Sequence, residues 1–324
     1  MLTDKQPDSA RLLILIGPTA SGKTKLSLEI AKTYQCEIIS GDSMQVYRGM
    51  DIGTAKASPE ERRAVVHHMI DIHDPDEPFS AAEFQERGSR LIAEITARGR
   101  LPFVVGGTGL YVESLAYGYQ FSDAGSDEEF RAEQELFLRQ HGAHALHDKL
   151  RAVDPVTAER LHPNDSRRII RALEVHHLTG QTLSSQLAGQ KKRSPYDICI
   201  VGLTMDRQLL YKRIEERIDQ MLDAGLVEEV ASLRSQGYSD ELVSMQGLGY
   251  KEICACLRKE LTLEEAVTLL KRNTRRFAKR QLSWFRHMKD IHWVDVTDTD
   301  QFDKHLRLIN GIIEEKLINK TPQQ

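Results

Sequence analysis

Residues 17–24 read Gly17-Pro18-Thr19-Ala20-Ser21-Gly22-Lys23-Thr24, which fits the pattern G-x-x-x-x-G-K-[S/T]. Both flanks suit it. Residues 12–16 are a purely apolar run, and residues 23–34 carry apolar side chains at helical spacing. A glycine loop between a buried strand and a helix lets backbone N–H groups converge on phosphate oxygens, and the helix N-terminus adds a favourable dipole. Lys23 brings a point charge, and the Thr24 hydroxyl stands where Mg²⁺ is usually held. The loop works only in a strand–loop–helix setting, so it commits the chain to an α/β fold. It specifies phosphate without naming the phosphate compound.

Three further strands follow from short apolar runs at residues 37–40, 101–105 and 197–203, and residues 291–296 suit an edge strand. Between them lie amphipathic stretches such as Phe84, Leu91, Ile92 and Ile95. Alternation of this kind predicts a P-loop α/β core with a parallel sheet flanked by helices. From 122 to 190 the pattern changes: helix-like stretches at 128–140, 143–152, 156–161 and 166–178 succeed one another with no strand. The chain therefore divides into a first part of the core (1–121), an all-helical insertion (122–190), and the rest of the core with basic carboxyl-terminal helices (191–324). Residues 206–286 read as helical and 319–324 as a frayed tail. A length of 324 residues suits a phosphate-binding core with one insertion.

The second strand ends in Ser40-Gly41-Asp42-Ser43-Met44-Gln45. A carboxylate at that strand end lies in the crevice where open α/β sheets bind ligands. Asp42 is a candidate for holding Mg²⁺ through water or for general-base work, against the plainer reading of a turn cap. The third strand ends in Gly106-Gly107-Thr108-Gly109, with no acidic residue in the Walker-B position and no NKxD guanine reader, which argues against a motor ATPase or GTPase. Arg213 and Arg217 share a helix face and are candidates for reaching over the phosphates. Surface ion pairs with Glu215, Glu216 or Asp219 are the alternative, favoured for Arg213 and even for Arg217. His67 and His68, with His73 nearby, would diverge on a helix and read as packing histidines, as do His176 and His177. Cys36, Cys199, Cys254 and Cys256 lack metal-site spacing and read as reduced, buried thiols of a cytoplasmic protein. The first apolar run is too short for a signal or membrane segment, so no membrane partner is expected.

A net charge of −4, from 44 basic and 48 acidic residues, at first sight excludes nucleic acid. The distribution reverses this. Residues 271–286 hold Lys271, Arg272, Arg275, Arg276, Lys279, Arg280 and Arg286 with no acid, which leaves −11 on the rest. On a helix these cations form a stripe interleaved with Phe277, Trp284 and Phe285, aromatic rings that either pack inward or stack on bases. Nucleic-acid contact is the preferred reading over a solvated face. Arg167, Arg168 and Arg171 in the insertion, and Lys191-Lys192-Arg193 at its edge, add a second basic surface. Two such surfaces suit a folded RNA.

The ordered runs GPTASGKT, SGDSMQVYRGMDIGTAK, HHMIDI, GGTGLY, NDSRRIIRALEV, RIEERIDQMLDAGLVEEV, QGLGYKE and RFAKRQLSWFRH together resemble the bacterial tRNA dimethylallyltransferase family, from residue 12 to about residue 293. The resemblance implies transfer of a dimethylallyl group from dimethylallyl diphosphate to N6 of adenosine 37 in tRNA, with release of pyrophosphate. It implies that residues 17–24 cradle the diphosphate, with Thr24 on Mg²⁺ and no redox cofactor. Thr19 and Arg217 would serve the leaving group, and Asp42 would receive the proton or hydrogen bond of the attacking amine. The implied tRNA contacts are Asp42, Ser43, Met44, Gln45, Thr108 and Arg131; the run Arg167-Arg168-Ile169-Ile170-Arg171; the run Gln246-Gly247-Leu248-Gly249-Tyr250-Lys251-Glu252; and the run Lys279-Arg280-Gln281-Leu282-Ser283-Trp284-Phe285-Arg286. Phe277 and Ser283 stand where the family commonly has Tyr and Thr, and the carboxyl-terminal zinc finger of eukaryotic relatives has no counterpart. A monomer is expected. The rival readings are a P-loop nucleoside or metabolite kinase that binds ATP, and a non-catalytic RNA-binding ATPase.

Overall fold

The computed structural model describes residues 10–121, 125–188 and 193–319. They form two compact units, one made of the chain up to Gly118 and from Ser194 onward, the other Tyr119–Arg193. Lys191 and Lys192, the N-terminal residues 1–9 and the last five residues of the chain lie outside the described residues.

The first unit is built on a six-stranded sheet: β1 Arg11–Ile16, β2 Cys36–Gly41, β3 His67–His68, β4 Leu101–Gly106, β5 Asp197–Thr204 and β6 Ile291–Asp295, in the order β3-β2-β4-β1-β5-β6. Every pairing is parallel. Central strands covered on both faces explain why 12–16 carry no polar residue: all five side chains are at most 1% exposed. β6 takes the edge that its mixed burial suits. β3, at the opposite edge, has no apolar run to announce it. Because it is a strand, His67 and His68 point to opposite faces rather than diverging on a helix. His68 Nε2 lies 2.7 Å from Glu37 Oε2, and His67 Nδ1 lies 2.8 Å from the Val65 carbonyl. No cluster of three His, Cys, Asp or Glu side chains suited to a metal occurs among the described residues.

The helices of this unit begin with α1 Lys23–Thr33, α2 Pro59–Ala64, α3 Ala81–Ala97 and α4 Gly109–Tyr117. The second unit contributes α5 Glu128–Val153, α6 Pro155–Arg160, α7 Ser166–Thr179 and α8 Leu183–Ala188. The first unit resumes with α9 Arg207–Asp223, α10 Leu226–Ser235, α11 Tyr250–Leu257, α12 Leu263–Phe285 and α13 Phe302–Ile313, which runs into a π-helical turn, Glu314–Ile318. α12 starts at a capping box: the Glu265 N–H donates to Thr262 Oγ1 (3.2 Å) and the Thr262 N–H to Glu265 Oε2 (2.7 Å). Ala266, Leu270, Ala278, Gln281 and Phe285 form its buried face.

The second unit has its own small core of Leu146, Leu150, Ala158, Ile169, Ala172 and Leu173. Gly142, at φ 83°, kinks α5 between the two helices expected there. α8 and α13 add to the helices expected from sequence. Phe302, Leu306, Ile309 and Ile313 are spaced to pack one face of α13, a signal open to reading. All four cysteines are free thiols, three of them buried. No described helix is long and apolar enough to cross a membrane.

Candidate active site

The parallel order sends the carboxyl ends of β1, β4 and β2 to one edge of the sheet, which gathers the phosphate loop, Gly107-Thr108 and Asp42. Two glycines make the gathering possible. A Cβ on Gly106 would come within 2.3 Å of the Gly41 carbonyl oxygen, and one on Gly107 within 2.3 Å of Gln281 Nε2. The space that Gly107 leaves is filled by the buried Gln281 amide of α12. It donates to the Gly107 carbonyl (2.9 Å) and accepts from the Thr19 N–H (2.9 Å).

The phosphate loop lines a cavity of about 610 Å³ with Asp42, Arg213, Arg217 and Gln281. Its state fits a site built for an anion. The Ser21 hydroxyl is buried with no hydrogen-bond partner. Lys23 Nζ donates to the loop's own carbonyls, Gly17 O at 2.8 Å and Pro18 O at 2.7 Å. Burial, with Arg217 nearby and against the attraction of Asp42, lowers the Lys23 pKa to about 7. Thr24 is exposed beside them on the first turn of α1.

A second cavity of about 330 Å³ adjoins the first and shares Thr19, Asp42, Thr54, Arg217 and Phe277 with it. Ser43, Met44, Thr108, residues 246–251 and Arg280 line it, together with the apolar side chains Ile214, Ile218, Met221 and Leu270. Thr108 Oγ1 accepts the Ser43 N–H at 3.1 Å and locks the two strand ends together. Asp42 is half-buried between the cavities, and its Oδ1 accepts the Met44 N–H at 2.8 Å. Burial raises its pKa against the lowering effect of the Met44 and Gln45 N–H groups and the cations Lys23 and Arg217. A carboxyl of this kind is a stronger proton acceptor than an exposed one.

Arg213 and Arg217 both line the phosphate cavity. The acids offered as their surface partners are engaged elsewhere: Glu215 with Arg275, Glu216 with Lys212, and Asp219 with Lys271. The surface reading favoured for Arg213 is thereby corrected. Burial and Arg213 depress the Arg217 pKa, with Asp42 opposing.

Several residues expected to touch RNA turn inward. Ile169 and Ile170 belong to the core of the second unit. Tyr250 is fully buried, Glu252 is buried and accepts the Gly249 N–H at 3.0 Å, Gln281 holds the phosphate loop, and Phe285 is 0% exposed. Leu282 is partly buried against the core. Helix and turn geometry places these side chains on the face opposite their polar neighbours, so they shape the surface from behind.

Among the cations of residues 271–286, on α12 and its C-cap, Lys271 and Arg275 are tied to α9. Arg272, Arg276, Lys279, Arg280 and Arg286 are exposed and form no ion pair with a described acid. Ser283 and Trp284 are exposed beside them, and the indole donates to Glu113 Oε2 at 2.8 Å. Gln246 is exposed and Lys251 half-buried at the rim of the second cavity. In the second unit Arg167 is exposed, Arg168 pairs with Asp165, and Arg131 and Arg171 share the fully buried Glu174 carboxylate.

Sequence reasoning missed Thr54, Ile218 and Met221. The last two follow from Ile214, Ile218 and Met221 at i, i+4 and i+7. Nothing local marks Thr54.

The family model for IPP transferase matches residues 45–288. A curated tRNA dimethylallyltransferase from Bacillus pumilus is 52% identical over 317 residues, 98% of this chain and 98% of that protein. The chain belongs to the IPP transferase family. A solved tRNA isopentenylpyrophosphate transferase from Bacillus halodurans is 49% identical, superposes with a TM-score of 0.71, and is covered to 98% by 95% of this chain. A eukaryotic dimethylallyltransferase, described as acting on tRNA, is 29% identical with a TM-score of 0.83 and matches 98% of this chain over 81% of its own length. Family membership and the six-stranded parallel α/β fold thus agree.

Proposed function

We propose that the chain is a tRNA dimethylallyltransferase, acting as a cytoplasmic monomer, that moves the dimethylallyl group of dimethylallyl diphosphate onto N6 of adenosine 37 and releases pyrophosphate. The observation that carries this reading is Asp42, half-buried where the phosphate cavity meets the cavity walled by Ser43, Met44 and residues 246–251. In the reaction the bond from the allylic carbon to the diphosphate oxygen breaks, and its electrons leave with pyrophosphate. The N6 lone pair forms the new bond to that carbon, and the displaced N6 proton passes to Asp42.

Residues 17–24 bind the diphosphate. Lys23 leaves the loop carbonyls for phosphate oxygens, the Ser21 hydroxyl gains its missing partner, and Arg217 and Thr19 offset charge growing on the leaving oxygen. The exposed Thr24 hydroxyl is the group that would hold Mg²⁺. Bound there, Mg²⁺ supplies charge neutralisation to the leaving group. The adenine reaches Asp42 only if it is pulled from its stack, which the second cavity accommodates. The exposed cations of α12 and Arg167 of the second unit would hold the RNA phosphates.

The test is incubation with unmodified tRNA, Mg²⁺ and either labelled dimethylallyl diphosphate or labelled ATP. Label entering the RNA from the prenyl donor supports the reading. Transfer from ATP to a small acceptor, or tRNA binding without any product, would replace it with a kinase or an RNA-binding ATPase.

A further inference from the structure

Glu229 of α10 lines neither cavity, yet its carboxylate makes four hydrogen bonds. Oε2 accepts the N–H groups of Asp51 (3.0 Å) and Ile52 (2.7 Å), while Oε1 accepts the Gly53 N–H (3.1 Å) and the Tyr250 hydroxyl (2.6 Å). Three successive backbone N–H groups converging on one anion form a nest, the arrangement that elsewhere captures external phosphate or carboxylate. Here the chain fills it internally. No described cation pairs with Glu229, so its charge is balanced by these donors alone.

The nest fixes a stretch of backbone that reaches the site. Gly53 and Thr54 line the second cavity, and Thr54 lines both. Gln45 Nε2 donates to the Thr54 carbonyl (3.2 Å), which ties the same loop to the strand end bearing Asp42. Gly53 can sit there only without a side chain, since a Cβ would come within 2.6 Å of the Tyr250 ring.

We propose that Glu229 is a positioning residue for the acceptor base: its carboxylate fills the 51–53 nest and so holds Gly53 and Thr54 as the wall against which the extruded adenine is presented. This rests on the tRNA-transfer reading above and concerns only the acceptor half of the site. Charged hydrogen bonds to backbone N–H groups are among the stronger ones, and their loss leaves three inward donors without a partner.

The experiment is steady-state kinetics of the full-length protein with tRNA and dimethylallyl diphosphate. For Glu229→Ala, the KM for tRNA is expected to rise about tenfold, on the scale of one lost charged hydrogen bond, while the KM for dimethylallyl diphosphate stays within about twofold. Added formate, a carboxylate small enough for the vacated nest, should recover part of the loss. Glu229→Gln, which keeps an accepting oxygen, should fall between. An unchanged KM for tRNA, or equal rises for both substrates without formate rescue, overturns the proposal in favour of a plain fold contact. If Glu229→Ala has no cooperative thermal transition, Tyr250→Phe takes its place. Removing one donor should raise the KM for tRNA by about two- to threefold, and no rise overturns the proposal. Failure of the wild-type protein to prenylate tRNA would instead count against the underlying function.

Discussion

At the residue scale, the site holds two ionisable groups whose pKa values are pushed toward each other. Asp42 is raised by burial and Lys23 is lowered to about 7 by burial and Arg217. A base must be deprotonated to act, so transfer should be lost as pH falls, with the acid limb above the range near 4 of an ordinary carboxylate. Asp42→Asn should lower kcat by about 10²- to 10⁴-fold and leave tRNA affinity nearly unchanged; wild-type turnover would remove Asp42 from the chemistry. For Lys23 the sign runs the other way. Above about pH 7 the empty site favours neutral Lys23, and an arriving diphosphate favours the cation. Pyrophosphate binding near pH 8 should therefore take up a proton. Titration calorimetry in buffers of different ionisation enthalpy measures this directly, and heats independent of the buffer would contradict it.

At the element scale, α12 shows how far a linear charge count reaches. The run of seven cations is legible in the sequence, as is the helix beneath it. The division of labour is not, because it depends on the acids that α9 presents. Lys271 and Arg275 serve Asp219 and Glu215, while Arg272, Arg276 and Lys279 point outward. Replacing Lys279 and Arg280 with Gln should weaken tRNA binding and reduce its salt dependence by about one unit of slope per lost phosphate contact. Lys271→Gln should leave that slope unaltered. A filter-binding series across salt concentrations separates the two, and equal slopes for all variants would return the stripe to an ordinary solvated face. The same geometry sets Ile169 and Ile170 apart from the arginines beside them: on a helix each step along the sequence turns the side chain by about 100°, enough to carry it from the buried face to the exposed one.

At the scale of the whole molecule, the phosphate loop, five of six strands and the helical character of 128–178 are open to reading, because fixed spacing and apolar runs carry them. β3, the Thr54 wall and the Glu229 nest are not, since each depends on partners far away in sequence. Gly118 and Pro195 lie in contact, a Cβ on the glycine standing 3.4 Å from Pro195 Cγ. Residues 119–193, which have a core of their own, can therefore be replaced by a short linker. The shortened protein should still bind pyrophosphate and lose prenylation of tRNA, as calorimetry and label transfer would register. Undiminished transfer would deny the second unit any part in holding RNA.

The buried Gln281 gives α12 a property beyond its charge. One residue along a helix is a rotation of about 100°, so an insertion between Leu270 and Gln281 would swing the amide away from Thr19 and carry an outward arginine or lysine toward the phosphate loop. Both faces of the helix are committed, and neither can be re-phased without exchanging with the other. Over evolutionary time this segment should accept substitutions far more readily than any change in its number of residues.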